Sequence, residues 1–203
     1  MKKIILFALL LVFLISACTK PEQPSIPTDN GGIQGGQGQT GDLSCGGIAG
    51  KTYIDLDGNI GILASGGGAS ITAVDALLSY NKKPANYTEY SGNPSPEKVE
   101  ALTRIVMSKQ DLKGLFIVGA KANFTQIHET IGAIIKVIKE QKPCYPIVFR
   151  RAGPGDKEAK ELVERTAKEL NLDMEWYGEE TPITVAAKKI AEKVERYQKR
   201  CCC

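Results

Sequence analysis

The sequence predicts an α/β fold in which a parallel sheet lies between two layers of helices. From Tyr53 onward, five short apolar runs are each followed by an amphipathic stretch with helical spacing. Strand-then-helix units in succession favour a parallel sheet, because each helix returns the chain to the edge where the next strand begins. The segments after the apolar runs are rich in Gly or polar residues, whereas those before them are rich in Lys. This asymmetry indicates that one edge of the sheet is the functional edge.

The five units follow one another in chain order. The first pairs IGILA with ASITAVDALLSYN, and the second pairs NYTEY with SPEKVEALTRIVMS. The third pairs GLFIVG with TQIHETIGAIIKVIKE, the fourth YPIVFR with DKEAKELVERTAKEL, and the fifth DMEWY with ITVAAKKIAEKVERYQ. The crossovers between parallel strands are expected to be right-handed. At this length we expect a flavodoxin-like three-layer sandwich with a five-stranded parallel sheet in the order 2-1-3-4-5.

The junctions after the strands are expected to meet at the carboxyl edge of the sheet, where folds of this class bind ligands. They read SGGGAS, EYSGNPSPE, GAKANFTQ, RRAGPGD and YGEETPIT. Each opens a helix whose first amide groups have no partner within the helix, so several such starts together favour a carboxylate or phosphate ligand. We expect Asn123 or Thr125 to cap the third helix and Asp156 to cap the fourth.

The N-terminal segment does not have the composition of a folded domain. Two lysines, an apolar run and small residues before Cys18 predict a lipoprotein-type signal at 1–18, with Cys18 lipidated and the protein anchored to a membrane. An uncleaved anchor helix is the alternative, although the apolar run is short for a membrane span. Residues 19–50, rich in Gly, Pro and Gln, predict a disordered linker. The folded domain is expected at 51–200, before a cysteine tail at 201–203.

Charge and cysteine usage argue against several classes of function. A net charge of +3 gives no reason to expect a nucleic-acid partner. The six cysteines show neither a disulfide framework nor the spacing of a zinc site, and the single histidine, His128, is interpreted as an ordinary helix residue. Neither a Walker-type loop nor a dinucleotide fingerprint occurs. We therefore predict no metal site, no catalytic residue and no cofactor in this chain.

Six motifs resemble one superfamily of enzymes. The segment YIDLDGNIG is similar to the start of the carboxylate-CoA ligase domain of the succinyl-CoA synthetase β subunit. The segments GGGAS, ANYTEYSGNPS, ANFTQ, VFRRAGP and YGEET resemble ATP-citrate lyase and citryl-CoA synthetase more closely. The resemblance runs from about Tyr53 to Val194 and favours the citrate-binding branch. It implies a flavodoxin-like domain that holds a carboxylic acid against a phosphohistidine carried by another domain.

The resemblance also implies which residues bind the acid. The tricarboxylate would meet main-chain amides of the Gly-rich loop, the ANFT segment and a clamping arginine, and a further Asn matches a substrate contact of the succinate branch. The implied binding residues are Asn59, Gly67, Gly68, Asn123, Phe124, Thr125 and Arg151. Succinate-using relatives typically have an apolar residue at the position of Arg151. The additional cation therefore favours citrate, and its planar fork suits a carboxylate.

Other parts of the reaction are expected outside this chain. The resemblance implies that ATP, Mg²⁺ and CoA bind partner domains, an ATP-grasp module and a CoA-binding domain. This chain would be the acid-substrate binding domain, for citrate or succinate, of an ATP-dependent acyl-CoA ligase or ATP-citrate lyase type enzyme, inactive alone. Such enzymes work in the cytoplasm, which conflicts with the predicted signal. The alternative is a membrane-tethered carboxylate-binding or interaction module without catalytic activity. Glu89, Glu179 and Glu180, at the binding edge, would orient Arg151 or face a partner.

Overall fold

A computed structural model describes residues 52–90 and 93–201 of the chain. Six strands and five helices lie in these two stretches. The strands are β1 (Thr52–Asp55), β2 (Ile60–Ser65), β3 (Asn86–Tyr90), β4 (Gly114–Lys121), β5 (Ile147–Ala152) and β6 (Met174–Tyr177). The helices are α1 (Gly67–Ser79), α2 (Pro96–Ser108), α3 (Ile127–Gln141), α4 (Asp156–Leu170) and α5 (Ile183–Cys201).

The strands form one sheet in the order β1-β3-β2-β4-β5-β6. Strands β2 to β6 run parallel to their neighbours among themselves. Counted from β2, their order is the predicted 2-1-3-4-5. The α/β class and the order of the five parallel strands are therefore confirmed.

The predicted number of strands is wrong by one, because β1 adds a sixth. This strand pairs with β3 in antiparallel register, with Tyr53 opposite Thr88. Residues 56–59 alone join β1 to β2. Four residues are too few for the crossover that parallel strands require, so β1 runs opposite to β2 and to its neighbour β3. The four residues of β1 are exposed or half-buried, so they lack the apolar run that marked the other strands.

Two helix layers cover the sheet. Helices α1 and α5 pack together on one face, and α2, α3 and α4 pack side by side on the other. Successive residues of β2 enter different cores: Ile62 clusters with Ile190 on the first face, and Leu63 clusters with Ile134 on the second. Strands buried on both faces read as continuous apolar runs, as β2 and β4 do. Burying one such side chain contributes roughly 1.5–3 kcal/mol relative to leaving it exposed.

The winding of the sheet reverses between β2 and β4. Strand β2 leads into α1 on one face, whereas its neighbour β4 leads into α3 on the other face. The two connections therefore diverge and leave a crevice at the carboxyl ends of these strands, which is where open α/β sheets bind ligands. Ser65 and Gly119 are the paired residues at this switch point.

Several sequence predictions fall on residues outside the described ranges. These are the signal at 1–18 with its lipidated Cys18, the linker at 19–50, and the end of the cysteine tail. They stay predictions. In the two described stretches, no helix combines the length and the apolar character that crossing a membrane requires.

Cys144 takes part in a disulfide bond that the sequence analysis did not predict. It lies just before β5 and is disulfide-bonded. No other cysteine side chain is among those that the structure describes. Sequence spacing carried no signal for this bond, because a disulfide requires two Cα atoms to lie within about 7 Å in the folded chain.

Candidate functional site

The start of α1 supplies main-chain amides to the crevice. Gly66 precedes the helix with φ 93° and ψ 136°, a conformation that residues with a Cβ rarely adopt. No side chain caps this helix, so the first amide groups, those of Gly67 and Gly68 among them, lack partners within the helix. The Gly66 amide donates to the carbonyl of Tyr90 at 3.0 Å. This bond fixes the helix start beside the end of β3.

Two polar side chains of β3 lie beside this helix start. Glu89 Oε2 and Tyr87 Oη are each 3.5 Å from the point that a Cβ on Gly67 would occupy. A carboxylate near a helix N-terminus is stabilised by the positive end of the helix dipole. Glu89 therefore faces the α1 amides, and it does not hydrogen-bond the guanidinium of Arg151.

The segment after β4 brings Asn123, Phe124 and Thr125 to the same edge. Asn123 and Phe124 are exposed, whereas Thr125 is buried. The prediction that Asn123 or Thr125 caps α3 is wrong: Gln126 is the capping residue, and it makes no side-chain cap hydrogen bond. The first amide of α3 instead donates to the carbonyl of Pro154 at 2.8 Å. The start of α3 is thus tied to the loop between β5 and α4.

The loop between β5 and α4 packs against the start of α3. Gly155, at φ 76°, precedes α4 without a side-chain cap, so Asp156 is not the cap that the sequence predicted. Asp156 Oδ2 instead accepts from the Gly153 amide at 3.4 Å. His128 is exposed on the first turn of α3, and a Cβ on Gly155 would lie 2.4 Å from its Nδ1 atom. It is a helix residue, as predicted, and it packs on this loop.

Arg151 is the largest fully buried side chain of the described residues. Its Nε, Nη1 and Nη2 atoms are buried without a hydrogen-bond partner. The guanidinium lies over Gly119, because a Cβ placed there would be 1.8 Å from Arg151 Nη1 and 3.1 Å from the Cβ of Ser65. Only glycine at position 119 leaves room for the Arg151 side chain, which starts from β5, to extend across β4 toward β2. A cation buried without partners is costly, so the position of Arg151 favours the binding of an anion.

The guanidinium of Arg150, the preceding residue, is hydrogen-bonded at all three of its nitrogens. Its guanidinium donates to three main-chain carbonyls, those of Gly119 at 2.7 Å, Thr181 at 2.8 Å and Glu179 at 3.4 Å. Burial lowers the pKa of Arg150, and the nearby carboxylates of Glu180 and Glu179 oppose that shift. The two glutamates therefore act on Arg150 and not, as one expectation had it, on its neighbour.

Tyr90 is a buried residue of this edge that sequence analysis did not single out. It ends β3 beside Ser65, is fully buried, and its hydroxyl has no hydrogen-bond partner. Burial raises the pKa of Tyr90, while the positive charge of Arg151 acts in the opposite direction. The alternation in NYTEY indicates that Tyr90 is buried. It does not indicate that the hydroxyl lacks a partner.

Asn59 lies apart from the other predicted binding residues. It precedes β2, whereas Gly67 follows the same strand, so the two residues are at opposite edges of the sheet. The main chain of Asn59 donates to the Lys83 carbonyl at 3.1 Å and accepts from the Lys113 amide at 2.7 Å. It lines a cavity of about 550 Å³ among the lysine-rich turns. The structure thus gathers every predicted binding residue except Asn59 at the carboxyl edge.

A second cavity, of about 370 Å³, lies beside the start of α4 and the end of β6. Trp176 and Glu179 are among its lining residues, and neither Arg151 nor Thr125 is. Among the residues that the structure describes, no group of three or more His, Cys, Asp or Glu side chains is placed to hold a metal ion. The buried arginine at the switch point remains the most distinctive feature of the edge.

A doubly wound α/β domain with helix starts and a buried cation at its switch point defines a small-anion binding domain. Residues 42–192 match the family described as ATP citrate lyase citrate-binding, and the chain belongs to this family.

Two groups of curated proteins are similar in sequence. The ATP-citrate synthase alpha chain protein 2 of Oryza sativa subsp. japonica is 32% identical, over 70% of this chain and 37% of its own length. The beta subunit of an ADP-forming succinate–CoA ligase from Pelagibacter ubique is 32% identical, over 60% of this chain and 32% of its own length. This chain therefore spans only about a third of the relatives that it matches.

A solved structure is similar in fold. It is the ATP citrate lyase from Methanothrix soehngenii in complex with citrate and coenzyme A, with a TM-score of 0.63 and 27% sequence identity. The similarity covers 70% of this chain and 39% of that one. The fold, the family and the citrate-binding branch that the motifs predicted are confirmed.

Proposed function

We propose that this domain binds the acid substrate, citrate or a related di- or tricarboxylate, of an ATP-dependent acyl-CoA ligase or ATP-citrate lyase type enzyme. The observation that carries the proposal is the guanidinium of Arg151, buried at the switch point with all three nitrogens unpaired. Membership of the citrate-binding family supports it. A carboxylate matches this group best, because it accepts two parallel hydrogen bonds from the guanidinium fork.

A polycarboxylate uses more of the edge than a single carboxylate does. Arg151 holds one carboxylate, and the amides at the start of α1, from Gly67 and Gly68, are available to a second. The segment Asn123–Thr125 adds main-chain and side-chain groups at the same edge. Asn59 has no part in this proposal, because it lies at the opposite edge of the sheet.

The guanidinium of Arg151 is fully covered in this structure. An acid therefore reaches it only after the covering residues move, and we expect association to be slower than simple diffusional encounter. The cost of moving the covering residues is offset by the bonds that the acid makes, because a charged hydrogen bond contributes about 1.5–3 kcal/mol and several would form at once.

In the complete reaction this domain positions and neutralises the acid. Holding the acid in one orientation, with its charge compensated, lowers the barrier to attack on a phosphoryl group presented elsewhere. Phosphorylation by ATP and Mg²⁺ and transfer to CoA would depend on domains other than this one. The proposal assigns no catalytic residue to residues 52–90 and 93–201.

Isothermal titration calorimetry of the purified protein tests the proposal. Citrate, succinate, malate and inorganic phosphate are titrated separately at the same ionic strength, because exposed charges are screened by salt. We expect measurable binding of the carboxylic acids, with citrate the tightest and phosphate weaker. Absence of binding by all three acids would remove the assignment of an acid site.

A second function is favoured by one observation, the disulfide at Cys144. Disulfides persist mainly in oxidising compartments, whereas ATP and CoA chemistry takes place in the cytoplasm. A disulfide here supports the proposal that the domain is exported, tethered through Cys18, and binds a carboxylate or a partner without catalysing a reaction. The acid site is the same in both functions, and the two differ in compartment and in what surrounds the domain.

A further inference from the structure

The last row of side chains on one face of the sheet holds two buried polar groups without partners. Tyr90 pairs with Ser65, and Ser65 pairs with Gly119, so these residues lie side by side across three strands. The guanidinium of Arg151 occupies the space above Gly119 and extends toward Ser65. The Tyr90 hydroxyl and the Arg151 guanidinium thus belong to one row on the face covered by α2, α3 and α4.

Each of these groups is costly to bury alone. A buried hydroxyl without a hydrogen bond is destabilising, and a buried charge without one is more so. In the described part of the chain, only three side chains have buried nitrogen or oxygen atoms without a partner, and two of them are Tyr90 and Arg151. Their occurrence in the same row is the observation that needs an explanation.

The two groups do not satisfy each other in this structure. Arginine has donors only, and a tyrosine hydroxyl both donates and accepts. An acceptor placed between them satisfies both groups, and a carboxylate oxygen pair is the natural acceptor because it carries the opposite charge to the guanidinium. Water is a poorer match, since one water molecule leaves most of the five arginine donors unpaired.

We propose that Tyr90 is an additional recognition residue, whose hydroxyl donates to the same ligand carboxylate that the Arg151 guanidinium binds. This inference rests on the proposed function and adds a residue to its site. Tyr90 contacts the acid through one neutral hydrogen-bond donor, its hydroxyl, while Arg151 supplies the positive charge. The hydrogen bond between the Gly66 amide and the Tyr90 carbonyl, at 3.0 Å, joins this residue to the α1 start, so one backbone link positions both halves of the site.

The test is a double-mutant cycle with Tyr90→Phe, Arg151→Met and the double variant, measured by calorimetry with citrate. We expect Tyr90→Phe to weaken citrate binding about tenfold. In the Arg151→Met background the same change is expected to have almost no further effect, because the shared carboxylate is no longer held. Without ligand, Tyr90→Phe should leave the melting temperature unchanged or raise it, since it removes an unpaired buried hydroxyl.

Tyr145→Phe is the matched control, because Tyr145 precedes β5 at the opposite edge of the sheet. It should leave citrate affinity unchanged. If the parent protein binds citrate and Tyr90→Phe binds equally well, the role of Tyr90 is refuted and the acid site stands. A loss that is additive with Arg151→Met, or that accompanies a lowered melting temperature, also refutes it. If the parent binds no acid, the proposed function fails first.

Discussion

At the scale of single residues, two neighbouring arginines have opposite environments. Arg150 is buried and donates to three carbonyls, whereas Arg151 is buried and donates to none. The sequence RRAGP predicted that the second arginine is the special one, through its resemblance to the citrate branch. It did not predict that the guanidinium would be enclosed, because its position depends on Gly119 in another strand.

This contrast predicts opposite effects of one substitution on stability. Arg150→Met removes the donor from one buried and two part-buried main-chain carbonyls and should lower the free energy of unfolding by about 2–4 kcal/mol. Arg151→Met removes an unpaired buried charge and should raise the free energy of unfolding by about 1–3 kcal/mol without ligand. Urea unfolding without carboxylates in the buffer measures both. A destabilised Arg151→Met variant would mean that this arginine has a structural role.

At the scale of elements, the sequence predicted the five parallel strands and their helices but missed β1 and two helix caps. The apolar runs of β2, β4 and β5 are long and continuous, and the folded chain buries them on both faces of the sheet. The local sequence pattern and the packing therefore favour the same strands. Strand β1 is short, at the edge, and formed by pairing with β3 rather than by its own pattern. The first amide of α3 donates to the Pro154 carbonyl of a neighbouring loop, and the first amide of α4 donates to the Gly153 carbonyl of its own preceding turn, neither of which side-chain cap rules foresee.

The edge strand β6 is held by an ion-pair cluster that predicts a pH dependence. Lys193 of α5 is almost fully buried and contacts Asp173 and, at 2.7 Å, the carboxylate of Glu175. Burial acts to raise the pKa of Glu175, but hydrogen bonds from Lys193 and Tyr177 outweigh it and leave the pKa below 4.5. The folded-state pKa is lowered, so this stabilisation is present above the unfolded value and is lost as pH falls through the folded value.

Glu175→Gln should therefore lower the free energy of unfolding at pH 7, and its difference from the parent should shrink as the pH falls below about 4.5. Glu164→Gln is the control, because Glu164 is exposed and its contact with Lys160 is long, at 3.9 Å. It should change stability by less than about 0.5 kcal/mol at any pH. Urea unfolding from pH 7 to pH 3 measures both variants. A constant difference for Glu175→Gln across this range would contradict the role of its charge.

At the scale of the whole molecule, family and domain class were predictable because the motifs fall at strand ends in the order of the fold. The family match covers residues 42–192, and the motifs were inferred to run from about Tyr53 to Val194, so the match begins within the predicted linker. The disulfide at Cys144 was not predictable, and it bears on the compartment in which the protein works. The proposed acid site and this disulfide favour different compartments.

The disulfide yields a prediction for the full chain. Peptide mapping by mass spectrometry under non-reducing conditions should recover Cys144 in a disulfide-linked peptide from protein isolated in its native compartment. Reduction should lower the free energy of unfolding by about 2–4 kcal/mol, and it should not do so for Cys144→Ser. Recovery of Cys144 as a free thiol from native material would argue for the cytoplasmic ligase function.

The measurement that tests the central claim most directly is the selectivity of Arg151→Leu between acids of different charge. Calorimetry with citrate and with succinate is performed on this variant and on the parent protein. The loss of binding free energy should be larger for citrate than for succinate by about 1.5–3 kcal/mol, the value of a charged hydrogen bond. Equal losses for the two acids would show that the buried guanidinium does not recognise the additional carboxylate.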